Sequence, residues 1–167
     1  QIIADSKYFE RGSRQLKHAT NYDLDAIRIA RDSLNQFTSH VVVILGTNAG
    51  LSPSDVNEFV ALMGNRMIDW VNTASRGVIN QARRDNVTNE IRKASTANSN
   101  VYLLNWDDTV GSNWSNYYGS DSVHMTPAGY KAHAEFIANS IYRVLNTQQI
   151  EAPSTPSPEK PVLRDEQ

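Results

Sequence analysis

The chain has 167 residues, no cysteine and a formal net charge of −2, from 16 Lys and Arg against 18 Asp and Glu. Its length suits one domain with a sizeable core. The charge argues against a nucleic-acid or anionic-membrane surface, and the missing cysteine excludes disulfides, thiol nucleophiles and thiolate metal sites.

Ile2-Ile3-Ala4 reads as the tail of a short strand, and residues 5–20 as polar and turn-like. Between Tyr22 and Asn35, Leu24, Ile27, Ala30 and Leu34 recur at helical spacing behind a cap at Asn21. Val41 to Leu45 is an unbroken apolar run, as in a strand of a parallel sheet covered on both faces, and it stops at Gly46. Ser52-Pro53-Ser54-Asp55 opens a helix: a serine cap, a proline in the first position and an acid near the positive end of the dipole. That helix should run to Met63 and end at Gly64.

Met67 to Val71 is a second strand, Gln81 to Thr96 a polar helix with Val87, Ile91 and Ala94 inside, and Val101 to Trp106 a third strand. Arg83, Arg84 and Asp85 read as a solvated helix face. Thr126 caps and Pro127 opens a last helix to Leu145, with Tyr130, Ala134, Ile137, Ile141 and Leu145 as its apolar stripe. From Asn146 the chain turns rich in proline and polar residues, the composition of a linker or a disordered tail. Strands and helices alternate, which predicts a three-layer α/β/α fold with a mainly parallel sheet.

In such sheets, sites gather at the carboxyl ends of the strands. Gly46-Thr47-Asn48 follows the first long strand and Asn72 ends the second. A glycine allows close approach of a ligand, and an asparagine amide can donate to an oxyanion, so Gly46, Asn48 and Asn72 are candidate site residues; Asn72 also reads as a simple turn residue. Asp121-Ser122-Val123-His124 places a carboxylate and an imidazole three residues apart, just before the last helix. A histidine general base needs such a partner to fix its tautomer and stabilise its charged form. Trp106, Trp114, Tyr117 and Tyr118 are either core filling or a wall on which a sugar could stack. His18, His40 and His133 read as surface or helix-face residues. No His, Asp or Glu cluster has metal-ligand spacing, and nothing calls for a cofactor.

The two blocks Val43-Ile44-Leu45-Gly46-Thr47-Asn48 and Asp121-Ser122-Val123-His124 resemble the G-x-N and D-x-x-H blocks of the SGNH (GDSL-type) hydrolase superfamily, in the right order and on the right kind of element. Arg11-Gly12-Ser13-Arg14-Gln15-Leu16 and Val101-Tyr102-Leu103-Leu104-Asn105-Trp106 resemble segments of the extracytoplasmic SGNH domains fused to membrane acyltransferases, such as peptidoglycan O-acetyltransferases. The similarity covers roughly residues 1 to 145.

The resemblance implies an SGNH/flavodoxin-like fold and serine-type acyl transfer, with His124 as general base and acid and Asp121 orienting it. Asn48 would donate its side-chain amide to the oxyanion, and the backbone near Ser13 a second donor, with Gly12 as the alternative register. It implies an acyl donor, a glycan acceptor and an extracytoplasmic domain tethered through an upstream membrane acyltransferase domain of the same polypeptide. A secreted carbohydrate esterase is a second reading, and a non-catalytic glycan-binding module a third.

One family block is missing. The twelve residues before Ser13 hold no Gly-Asp-Ser; Ala4-Asp5-Ser6 sits too close to Ser13 to replace it, and Gly119-Ser120-Asp121-Ser122 overlaps the other block. The expectation is a chain that begins downstream of the family's first strand and its serine, with any export signal further upstream still, and that is inactive without that nucleophile.

Overall fold

The computed structural model describes residue 27, residues 30–32, 34–47, 50–77 and 80–151, with backbone alone from 147 onward. Among the described residues three strands, β1 (His40–Ile44), β2 (Met67–Val71) and β3 (Val101–Leu104), form a parallel sheet in the order β1-β2-β3. The register sets Val42 opposite Asp69 and Asp69 opposite Tyr102. Helices α1 (Pro53–Met63) and α2 (Gln81–Ala97) link the strands, short helices α3 (Trp106–Val110) and α4 (Trp114–Tyr117) follow β3, and α5 spans Pro127–Glu151.

Alternation along the strands divides the core. Val41, Val43, Ile68, Trp70 and Val101 face α1 and α2, where Val56, Phe59, Met63, Val87 and Ile91 close over them. Phe59 meets Trp70 edge-on at 5.3 Å between ring centroids. On the other face Val71 and Leu104 cluster with Trp106, Val110 and Tyr118, against Ala132, Phe136 and Ile137 of α5. The result is the expected three-layer arrangement with a parallel sheet.

The local signals explain most element ends. Ser52 Oγ accepts from the Asp55 amide, and Asn80 caps α2 through the Arg83 amide. Of the first expected helix, Ile27 and Ala30 are helical and buried, while Leu34–Gln36 form a 3₁₀ turn. The strand expected over Val101 to Trp106 ends two residues early. Asn105 leaves the ladder to cap α3, accepting from the Asp108 amide, and Trp106 becomes helical.

The stripe expected on α5 is rotated. Ile137 and Ile141 face inward as expected, but Tyr130 and Leu145 are 58% and 40% exposed and Ala134 is exposed too, and the inner line is completed instead by Gly129, Ala132, Phe136 and Ser140. The cause is Gly129, which packs so closely on α4 that a Cβ would lie 2.0 Å from the Tyr117 carbonyl oxygen. This fixes the rotation of the helix and turns Tyr130 to solvent. The helix also runs on to Glu151, into the stretch read as linker. Among the described residues no helix is long and apolar enough to cross a membrane.

Three side chains depart from the sequence reading. Arg84 is not on a solvated face: it is buried, with a hydrogen bond to Gln81 and its guanidinium 3.8 Å from Asp107. His40 pairs through Nε2 with the fully buried Asp69 at 2.6 Å. His133 packs its ring on Trp106, 4.8 Å between centroids, and burial holds its imidazole down to about 4.

Candidate active site

Asp121 and His124 occupy a tight loop ahead of α5. Asp121 Oδ1 accepts from the amides of Val123 and His124 at 2.9 and 3.0 Å, which folds the loop onto its own carboxylate. Oδ2 is thereby aimed at His124 Nδ1, 2.6 Å away. The bond to His124, followed by the two backbone amides, holds the Asp121 carboxyl down at about 2. It is therefore ionised at neutral pH and accepts an Nδ1–H, so the other ring nitrogen, Nε2, is the one free to take a proton. Among the described residues Nε2 makes no hydrogen bond, and the His124 side chain is 72% exposed. The arrangement can remove a proton from a hydroxyl presented at Nε2 and return it.

The loop is held from outside by the segment that follows β2. Ser122 adopts a left-handed conformation (φ 62°) that turns its carbonyl toward residues 75–77. That oxygen accepts from the Arg76 and Gly77 amides at 3.0 and 2.9 Å and from Ser75 Oγ at 3.2 Å. At residue 77 only glycine fits: a Cβ there would lie 2.3 Å from the Asp121 carbonyl oxygen and 2.6 Å from Val123 Cγ2. The loop is closed from its other side by the Gly119 amide on the His124 carbonyl, 2.8 Å.

The same segment reaches the turn after β1. Thr47 Oγ1 donates to Thr73 Oγ1 at 3.0 Å, and the Ser75 amide bonds that same oxygen at 3.2 Å. Gly46 turns the chain at φ +107°, packed against Val87, and its carbonyl accepts from the Gly50 amide. The end of β1, the end of β2 and the Asp121–His124 loop are thus joined at one end of the sheet. Asn48 and Ser13 lie outside the described residues.

Asn72 is 2% exposed and bonded inward on every side. Its Nδ2 donates to Thr88 Oγ1 and Asn105 Oδ1, at 2.8 and 2.7 Å, and its Oδ1 accepts from the Asp107 amide at 3.2 Å. It ties β2, α2 and the start of α3 together beneath the site. Of the four aromatics, Trp106 and Tyr118 are core, with Trp106 Nε1 donating to the Tyr118 hydroxyl. Trp114 stacks on Tyr118, donates to the Ala74 carbonyl and carries the Arg76 guanidinium 4.9 Å above its ring. Tyr117, partly buried, stacks on Trp106, 6.0 Å between centroids. Thr73, Ser75, Arg76 and Gly77 were invisible in the sequence; a turn-rich run after a strand was the only signal. Among the described residues no cluster of three His, Asp or Glu could hold a metal ion.

No protein-family model matches the chain. The chain is 25% identical over 150 residues to a curated protein of Bacillus subtilis (strain 168) named "Putative peptidoglycan O-acetyltransferase YrhL". That alignment takes in 83% of this chain but 23% of the relative, so the chain spans about a quarter of its length. Among solved structures, the lipase/acylhydrolase from Enterococcus faecalis matches with a TM-score of 0.57 at 16% identity, over 70% of this chain and 68% of that one. This second likeness is one of fold.

Proposed function

Proceeding from an SGNH hydrolase-like domain, we propose that this chain carries the histidine–aspartate part of a serine-type acyl-transfer site, acting on an ester of a small acyl group. The observation that carries the reading is the 2.6 Å contact of Asp121 Oδ2 with His124 Nδ1, which leaves Nε2 without a hydrogen bond among the described residues, on a side chain 72% exposed at the carboxyl ends of the strands.

A serine supplied from outside the described residues loses its proton to His124 Nε2 and attacks the acyl carbonyl. Asp121 stabilises the imidazolium so formed. The side-chain amide of Asn48 and the backbone amide of Ser13 receive the charge of the tetrahedral oxyanion. His124 then protonates the leaving alcohol, and an acyl-serine remains. In the second half an acceptor hydroxyl gives its proton to Nε2 and takes the acyl group, restoring the serine.

The acyl group is acetyl and the acceptor a cell-wall glycan hydroxyl. This reading is supported by the peptidoglycan O-acetyltransferase to which the chain is similar. The domain works outside the cytoplasm, as part of a larger membrane-tethered polypeptide. Hydrolysis is the second outcome of the same chemistry, favoured by one observation: side chains of Asp121 and His124 are 52% and 72% exposed, so water reaches the pair as readily as a sugar does.

The test is turnover of a chromogenic acetyl ester by the protein bearing this domain. His124→Ala should reduce it by several orders of magnitude, as loss of one triad member does. Turnover within a few-fold of the parent removes His124 from the mechanism. A fluorophosphonate that labels one serine, followed by peptide mapping, identifies the nucleophile. The 167-residue chain alone should not hydrolyse the ester above background; turnover that disappears in Ser6→Ala would instead assign the nucleophile to Ala4-Asp5-Ser6.

A further inference from the structure

The most densely bonded point near Asp121 and His124 is not in their own loop sequence but in the segment after β2. The Ser122 carbonyl accepts three hydrogen bonds from consecutive residues, Ser75, Arg76 and Gly77. A carbonyl has two lone pairs, so three donors converging on one oxygen hold it in direction as well as in place. Ser122 itself is a non-glycine residue at φ 62°, a conformation that costs energy unless its surroundings impose it. The three donors are those surroundings. Ser75 is 1% exposed, so its hydroxyl has no water to bond in place of that carbonyl.

Ser75 also faces the opposite way. Its amide bonds Thr73 Oγ1, the same atom that accepts from Thr47 Oγ1. Thr47 is the neighbour of Asn48, the residue to which the proposed function gives the oxyanion. A continuous line therefore runs from the turn after β1, through Thr47, Thr73 and Ser75, to the backbone between Asp121 and His124. It crosses from β1 to β2 and from β2 to the loop before α5.

We propose that Thr73 and Ser75 are positioning residues, a hydroxyl relay that sets the Asp121–His124 pair in register with Thr47 at the end of β1, next in sequence to the residue given the oxyanion. The inference rests on the proposed function for its catalytic meaning, but its geometry stands without it. Neither residue touches a reacting atom. Their effect is to fix how far the base lies from the oxyanion donor, a distance on which a displacement of about 1 Å can cost roughly 100-fold in rate.

The first experiment needs no activity. In the 167-residue chain, the Nδ1–H of His124 bonded to Asp121 is followed by proton NMR, with amide exchange in α2 as the measure of an intact fold. Ser75→Ala and Thr73→Val should move the ring N–H signal and speed its exchange with water about tenfold or more, with α2 unchanged. Thr73→Ser keeps the hydroxyl and should restore the parent signal. The second experiment uses the protein bearing this domain with an acetyl-ester donor. Ser75→Ala and Thr73→Val should lower kcat about tenfold or more with KM nearly constant.

If Ser75→Ala disrupts α2, the Thr73→Val and Thr73→Ser pair, which keep shape and hydroxyl respectively, decides the matter. A ring signal unchanged in Thr73→Val, or equally perturbed in Thr73→Ser, overturns the relay. A silent relay beside an inactive His124→Ala refutes the positioning role and leaves the proposed function standing. Full activity in His124→Ala refutes that function, and the NMR result still decides whether the relay exists.

Discussion

The Cα of Gly77 stands so close to Asp121 that a Cβ built on it would lie 2.3 Å from the Asp121 carbonyl oxygen. The neighbour is backbone and cannot rotate away, so any side chain at 77 must push the loop. Gly77→Ala should lower ester turnover of the protein bearing this domain by about 100-fold, through misplacement of His124. Steady-state kinetics check this, and a kcat within threefold of the parent would show that the loop yields without cost.

Asp121 predicts the acid limb of stability. Its folded carboxyl is held at about 2, below the ordinary carboxylate value, chiefly by the bond to His124. A depressed carboxyl stabilises the fold above the unfolded value and loses that contribution as pH falls through the folded one. The window is thus from about pH 4 down to about pH 2. Thermal melts of Asp121→Asn should lack this step and show a flatter dependence on pH than the parent there, whereas a slope like the parent's would assign the step to another group.

His133 predicts a separate step at higher pH. Burial lowers its imidazole from 6.5 to about 4, so the unfolded chain binds more protons between those values. Stability then falls as pH drops from about 6.5 to about 4, by up to about 3 kcal/mol. Denaturant unfolding of His133→Leu, which keeps an apolar contact for Trp106, should show a flat profile across that window. A profile like the parent's would assign the step to another group.

Asp69 is fully buried with one oxygen on His40 and the other, Oδ1, without a hydrogen bond among the described residues. His40→Ala would leave a carboxylate in the sheet with no partner, at a cost of about 3 kcal/mol or more. Equilibrium urea unfolding measures it. Because His40 starts β1 and Asp69 sits in the middle of β2, away from the loop of His124, ester turnover per folded molecule should stay within a few-fold of the parent.

What the sequence disclosed follows from range. The caps at Ser52 and Thr126 act within three residues, so their helices start where the letters say, and Asn80, for which the sequence reading named no role, caps α2 over the same short range. The unbroken Val41 to Leu45 run marked a strand but not its burial: Val41 and Val43 are covered by α1 and α2, whereas on the other face Val42 is only partly buried and Ile44 is 45% exposed, so β1 is not covered on both faces as expected. Asp121 and His124 were legible as a pair for the same reason: their contact closes within one turn. The His40–Asp69 pair was not, since it exists only once the register sets Val42 against Asp69. Nor was the hold of Ser75 and Gly77 on Ser122, which spans 47 residues for the hydroxyl. The rotation of α5 was misread because the largest apolar side chain near its start, Tyr130, drew the stripe, whereas tertiary contact at Gly129 decides it.

Asn72 was a candidate to touch substrate, yet its amide has three dependants: Thr88, Asn105 and the backbone of Asp107. Turning it toward a bound molecule would strand all three in a dry interior. A change of acceptor preference must therefore be written elsewhere, in side chains that can be exchanged without loosening the floor on which they stand.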